Sequence, residues 1–237
     1  TRRLGALPPA CAVGLSTTWS VDRIAGSAAA LHDRPLGPRV ARRVSVLEID
    51  RPALVLGSTQ RETDADASAL AAFDVELVHR RSGGGAVLLV PGHTLWLDVE
   101  VPRDDTLWDD DVVRSSAWLG RAWVVALDEL GLRARVHAGA ALETAWSRKV
   151  CFGGLGAGEV TVEGRKLVGI SQRRTRDGAR FQCVIHHHWD PVPILGLLAL
   201  HHRERADALC DLASCGTGLD APHQDVVDTL LRHLPVD

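Results

Sequence analysis

At 237 residues, 46% hydrophobic and 24% charged, the chain can bury a full core, and it holds no uninterrupted apolar run near the ~20 residues that a membrane helix needs. A formal net charge of −3 argues against a general nucleic-acid binder, although Arg173, Arg174 and Arg176 form a local basic run. Five cysteines at irregular spacing (Cys11, Cys151, Cys183, Cys210, Cys215) read as reduced thiols of a cytoplasmic protein, not as a disulfide framework.

The N-terminus places two arginines before an apolar stretch, but Pro8-Pro9 interrupts so short a run that a signal peptide is not expected. The missing initial methionine points to a trimmed or processed chain. Residues from about Thr17 to His32 read as a helix, with Trp19, Ile24 and Ala28 on one side. Pro35 and Pro38 break the chain; Val44 to Leu47 and Pro52 to Leu56 follow as short strands, the second running into Gly57-Ser58-Thr59-Gln60. Asp64 or Asp66 caps a short helix through about Phe73, because a carboxylate oxygen accepts the first free backbone N–H groups. Val75 to His79 returns as a strand.

Arg80-Arg81-Ser82-Gly83-Gly84-Gly85-Ala86 comes next. Three successive glycines cost backbone entropy and are tolerated where the backbone turns sharply or approaches something closely. Two readings stand: a loop whose N–H groups cradle an anion beside an arginine, or a hairpin turn with a flexible tip. A P-loop is excluded, since the Gly-Lys-Ser/Thr ending is missing.

Val87 to Val90 and Thr94 to Val101 continue as strands, the second with Leu95, Leu97, Val99 and Val101 on one face and Trp96 on the other. Asp104, Asp105, Asp109, Asp110 and Asp111 read as a solvated loop leading into a helix; no paired His or Cys beside them suggests a metal. From about Val112 to Leu130 the apolar positions recur near helical period until Gly131.

Most of the visible chemistry lies in Lys149 to Arg176. Cys151 opens a glycine-rich loop, Glu159 to Val162 alternates as a strand, and Glu163-Gly164 is a tight turn into a second strand from Lys166. Lysine is rare in this arginine-rich chain, and Lys166 reads either as a point charge placed to hold one oxygen of a phosphate or carboxylate, or as a solvated turn residue. Asp177-Gly178 returns the strand onto Phe181 to His188. His186 to His188 cannot all ligate one metal from a strand, where consecutive side chains face opposite ways. Ile194 to Leu200, Ala206 to Leu212 and Gln224 to Leu234 read as core-packing helices. With no repeat and no low-complexity linker, one domain over residues 1–237 is expected.

The R-x-S-G-G-G-A loop of Arg80 to Ala86, followed by G-R-K-L-V-G-I-S-Q-R-R from Gly164 to Arg174, resembles the lipoate-protein ligase family, with its relatives the octanoyltransferases and biotin ligases. The likeness covers roughly Leu54 to Pro191, and Gly57-Ser58-Thr59-Gln60 is similar to the family's early G-x-x-Q. It implies an α/β (α+β) fold of the biotin/lipoate ligase type, a mixed, largely antiparallel sheet flanked by helices. It implies that Arg80, Ser82, Gly83, Gly84, Gly85 and Ala86 line the phosphate and acyl carboxylate. Lys166 would then hold the activated carbonyl, while Gly169, Ser171 and Gln172 lie on the second binding strand. Departures are Leu89-Val90 in place of a His-Asp pair, Phe181-Gln182-Cys183-Val184 in place of Phe-His-His-Gly, and the lack of a recognisable accessory domain. Cys151-Phe152 resembles the cysteine-dependent octanoyl and lipoyl transferase branch.

Three activities therefore remain open. A ligase would use ATP and Mg2+ to join lipoate or octanoate to a lysine of a lipoyl-domain acceptor through an acyl-adenylate. A transferase would need no cofactor and would draw the acyl group from an acyl carrier protein through Cys151. A degenerate homologue would bind an acyl ligand without turnover. No metal ligand, nucleic acid or membrane partner is expected.

Overall fold

In the computed structural model, which describes residues 19–36 and 40–236, the strand Thr94–Pro102 is buried on both faces within a layered structure. In chain order the elements are β1 (Ser20–Gly26), α1 (Ala28–Asp33), β2 (Arg43–Ile49), β3 (Ala53–Leu56), α2 (Ala67–Ala72), β4 (Glu76–His79), β5 (Val87–Leu89), β6 (Thr94–Pro102), α3 (Ala117–Glu129), β7 (Ala134–Val136), β8 (Val160–Val162), β9 (Arg165–Arg174), β10 (Gly178–His186), α4 (Pro191–Leu197), α5 (His202–Leu212) and α6 (His223–His233). Seven strands form one sheet in the order β1-β2-β6-β10-β9-β8-β7, and three form a second in the order β4-β3-β5. Within the larger sheet the β1–β2 pair is parallel and the other pairs are antiparallel.

The strand period of two sorts the side chains of β6 into different cores. Leu95, Leu97, Val99 and Val101 pack with Trp123 and Leu127 of α3 and Val227 and Leu230 of α6. Trp96 points the other way, into a layer shared with Leu31 of α1, Val55 of β3 and Val87 and Leu89 of β5. The larger sheet thus has helices on one face and the small sheet with α1 on the other. Leu54, Leu56, Trp146, Ile194, Leu195 and Leu212 form a third cluster that fastens α4 and α5 to the small sheet.

Ser20–Gly26 is a strand, not the first half of a helix. It pairs residue for residue with β2, and the helix begins only at Ala28, where the Ser27 side chain accepts a hydrogen bond from Ala30 N. Thr17, Pro38, the Pro8-Pro9 segment and Cys11 lie outside the described residues. Asp66 caps α2 by accepting from Ser68 N and Ala69 N. The helix expected from Val112 starts five residues later, at Ala117, and leaves Val113 57% exposed. Glu163 and Gly164 have φ of +52° and +78°, the signature of a tight two-residue hairpin turn. The second hairpin differs: Gly178 lies in β10, where a Cβ would meet the Val101 carbonyl oxygen at 2.4 Å, so the glycine serves close strand approach and the turn runs through 175–177. Among the described residues no helix is long and apolar enough to cross a membrane.

Candidate active site

The two sheets do not close completely on each other. A narrow slot with a cavity volume of about 30 Å³ remains between them. Val55, Val87 and Leu89 line it from the small sheet, and Trp96, Gly169, Gln182 and Val184 from the large one. His32, Arg80, Cys151 and Phe152 complete its walls. At Arg80, Cys151, Ile170 and Ser171 the slot meets a wider groove of about 450 Å³, lined by Thr59, Gly83 to Gly85, Arg148, Glu159 and Lys166.

The glycine loop is not a flexible hairpin tip. It joins β4 to β5, which both pair with β3 and not with each other. Arg80 Nη2 donates to Gly83 O at 2.8 Å and Gly85 O at 2.9 Å, winding the loop around its own guanidinium. Gly84 has φ +96°, and a Cβ on Gly57 would lie 1.8 Å from Gly84 O, so two glycines are required by conformation and by contact. The N–H groups of Gly83, Gly84 and Gly85 have no partner among the described residues and border the groove. Ala86 exchanges backbone hydrogen bonds with Lys149 and Cys151, which holds the Cys151 turn against the loop.

Lys166 is 3% exposed, which excludes the solvated-turn reading. Its Nζ lies 2.7 Å from Glu159 Oε1 and donates to Cys151 O at 3.0 Å and Gly154 O at 3.3 Å. Glu159 is fixed in turn by Gly156 N at 2.6 Å and Ile170 N at 3.1 Å. Burial alone would lower the Lys166 pKa; its electrostatic interactions with Cys151 and Glu159 and its hydrogen bond to Glu159 outweigh that, so the pKa is raised and the ammonium is kept. A bulge aims the side chain. Thr161 pairs with Lys166 and Val160 with Val168, which leaves Leu167 as an extra residue in β9. Leu167 and Val168 both enter the helix-side core, and Lys166 and Gly169 emerge on the same face, with Lys166 Cε 3.3 Å from where a Gly169 Cβ would stand.

Cys151 begins a single 3₁₀ turn, is half-buried, and holds its Sγ 3.7 Å from Lys166 Nζ at the junction of slot and groove. Ser82 and Ser171 meet at 3.2 Å between their hydroxyls. Gln172 is not brought to either cavity: its amide donates to Val112 O at 2.6 Å and accepts from Ser115 Oγ at 2.9 Å. Ala86 contributes backbone bonds and lines neither the slot nor the groove.

Sequence reasoning misses Glu159 as the partner of Lys166, and it misses the polar row in the slot. Gln182 stands where the family pattern has histidine; its Nε2 donates to Asp98 Oδ1 at 3.3 Å. Burial raises the Asp98 pKa to about 6 against the pull of Arg180 and Arg34. His32 lies 4.4 Å from the Trp96 ring, and burial, with Arg80 and Arg180 nearby, lowers its pKa to about 3. His186 packs behind Phe152 and is neutral, its pKa lowered to about 4 by burial and by Lys166. Among the described residues no group of His, Cys, Asp and Glu is arranged to hold a metal ion.

The slot opens beside a buried ammonium and a glycine loop, and the family model over the chain makes the protein an enzyme of the ligase or acyltransferase class. The chain belongs to the lipoyl protein ligase A/B catalytic domain family, whose model matches residues 30–234. Its fold is similar to that of a bi-partite lipoate protein ligase of an archaeal lipoylation system from Thermoplasma acidophilum, described with its E2 lipoyl domain (TM-score 0.71, 16% identity, 91% of this chain and 82% of that one). It is similar also to a lipoate-protein ligase A bound with ATP (TM-score 0.64, 15% identity, 91% and 83%) and to a T. acidophilum protein with bound lipoic acid (TM-score 0.60, 17% identity, 81% and 71%). At these identities the likeness shows the fold. No curated protein matches the chain.

Proposed function

We propose that the protein, as a single catalytic domain, attaches a lipoyl or octanoyl group to a lysine of an acceptor lipoyl domain through an acyl-adenylate. The observation that carries this reading is the continuity of the apolar slot with the groove at Lys166 and the free N–H groups of Gly83 to Gly85. The acyl chain lies in the slot, gaining about 0.8 kcal/mol per buried methylene. Its carboxylate rests by Lys166 and attacks the α-phosphorus; a C–O–P anhydride forms and pyrophosphate leaves. The acceptor amine then attacks the carbonyl, AMP departs, and the amine proton goes to solvent. Lys166 and the loop N–H groups stabilise charge that grows on the carbonyl and phosphate oxygens, and being already fixed they need no rearrangement. ATP in one structural neighbour and lipoic acid in another support these two ligands. Mg2+ would neutralise the phosphates with water as most of its ligands, because Glu159 and Glu143 of the groove are paired with Lys166 and Arg148.

A second reading is favoured by one observation, the 3.7 Å from Cys151 Sγ to Lys166 Nζ at the junction of slot and groove. In it the thiolate attacks a carrier-protein thioester, a new C–S bond forms and the carrier thiol leaves, after which the acceptor amine displaces Cys151. One experiment separates the two. Pyrophosphate release from octanoate and ATP supports the adenylate; an acyl adduct on Cys151 from octanoyl-carrier protein without ATP supports the thioester. Binding of octanoate with neither product defeats both.

A further inference from the structure

On the reading that an acyl chain lies in the slot, the length of that chain is decided by the far wall. Strands β9, β10 and β6 lay one row of residues across the slot: Gly169 pairs with Val184, Val184 pairs with Trp96, and all three line it. The row rises from no side chain through valine to tryptophan. Its low end is the reacting end, since Lys166 Cε lies 3.3 Å from where a Gly169 Cβ would stand. Its high end is closed, because Trp96 is 2% exposed and the His32 ring of α1 lies 4.4 Å from it.

Trp96 is not free to swing aside. Its Nε1 donates to Asp98 Oδ1 at 3.2 Å, and Asp98 is fully buried and held in turn by Arg180 Nε at 3.3 Å and Gln182 Nε2 at 3.3 Å. Leu47, the register partner of Trp96 on β2, is buried in the same apolar cluster with Leu31 of α1. The wall is thus one fixed indole with further apolar packing beyond it. From Gly169 to Trp96 is two interstrand steps, about 10 Å. An extended eight-carbon chain measures about 9 Å from end to end. Octanoyl fits this span, and lipoyl, built on the same eight carbons, fits it too.

We propose that Trp96, braced by His32 and Asp98, is the end wall of the acyl slot and sets an eight-carbon limit on the chain this protein accepts. A longer chain has its carboxylate held at Lys166 and its tail stopped at the indole. Extra methylenes then either displace packed side chains or pull the carboxylate away from the ammonium, and both weaken binding. The indole touches no reacting atom, so Trp96 acts on specificity and not on chemistry.

Titration calorimetry with hexanoate, octanoate and decanoate tests the proposal on the wild-type protein. Octanoate should bind about tenfold tighter than hexanoate, from two more buried methylenes, and decanoate about tenfold or more weaker than octanoate. In Trp96→Leu the order of the last two should reverse, since truncation opens the slot toward Leu47 and Leu31. His32→Ala, at a less buried position, should narrow the gap between them. A melting curve shows whether each variant is folded, and the wild-type series decides if neither is. Decanoate binding more tightly than octanoate in the wild type, or a folded variant of either kind that keeps the wild-type ratio, overturns the end wall and leaves the acyl reading of the slot intact. Failure of all three acids to bind overturns both.

Discussion

Replacing Lys166 by methionine removes the ammonium from a pair in which Glu159 is only 6% exposed at its side chain. The carboxylate would keep the Gly156 and Ile170 N–H groups and lose its countercharge in the interior. Breaking such a pair from one side costs about 3–5 kcal/mol, a large part of the roughly 5–15 kcal/mol that holds an ordinary domain together. In a chain of this size each kcal/mol shifts the melting temperature by about 2–4 °C, so a fall of roughly 6–20 °C is expected. Adding Glu159→Gln removes the stranded charge and should return about 2 kcal/mol or more. Urea unfolding of the wild type, both single variants and the double variant measures the coupling, with equal m-values required. Acyl attachment should stay absent in the double variant, which separates chemistry from stability. A loss below about 1 kcal/mol in Lys166→Met, or no recovery in the double variant, would refute the paired, buried lysine and favour a solvated one.

Gly84→Val should weaken binding of an acyl-adenylate analogue by about tenfold or more, because a β-branched residue resists φ +96° and its Cβ would press on Arg80 Nη2; calorimetry showing unchanged affinity would reduce the loop to an ordinary turn. His186 is neutral when folded, with its pKa lowered to about 4 from 6.5, so its stability contribution is full above pH 6.5 and is lost as pH falls through about 4. His186→Phe should therefore lose about 3 kcal/mol less stability than the wild type between pH 7 and 4, and parallel denaturation curves across that range would contradict this. Asp98, with its pKa raised to about 6, acts in the opposite direction and is common to both proteins. Bound octanoate should slow iodoacetamide labelling of half-buried Cys151 and leave exposed Cys210 unchanged; equal protection of the two thiols would place Cys151 away from the ligand.

The residues legible in the sequence are those whose role is written into backbone geometry. Gly84, Gly85 and the Glu163-Gly164 turn are demanded by conformation or close approach, and a short pattern is enough to find them. The face of Lys166 is not written that way, because it depends on one extra residue, Leu167, in a bulge whose register is set by β8. The slot is harder still: His32 and Gln182, 150 residues apart, meet only because β10 is central and α1 folds over it. Ser20–Gly26 reads as helix because Ile24 and Ala28 stand four apart and the half-exposed edge strand alternates weakly, while the pairing that decides the matter lies in β2. Gln172 fits the motif by position but faces Val112 and Ser115, since neighbours on a strand point opposite ways and Ser171 already holds the binding face.

The most direct test of the central claim is intact-mass spectrometry of a lipoyl-domain acceptor after incubation with this protein, octanoate, ATP and Mg2+, run beside the same mixture containing Lys166→Met. One octanoyl group on an acceptor lysine is expected with the wild type and none with the variant. An acceptor left unmodified by the wild-type protein, with this donor and with octanoyl-carrier protein alike, would contradict it.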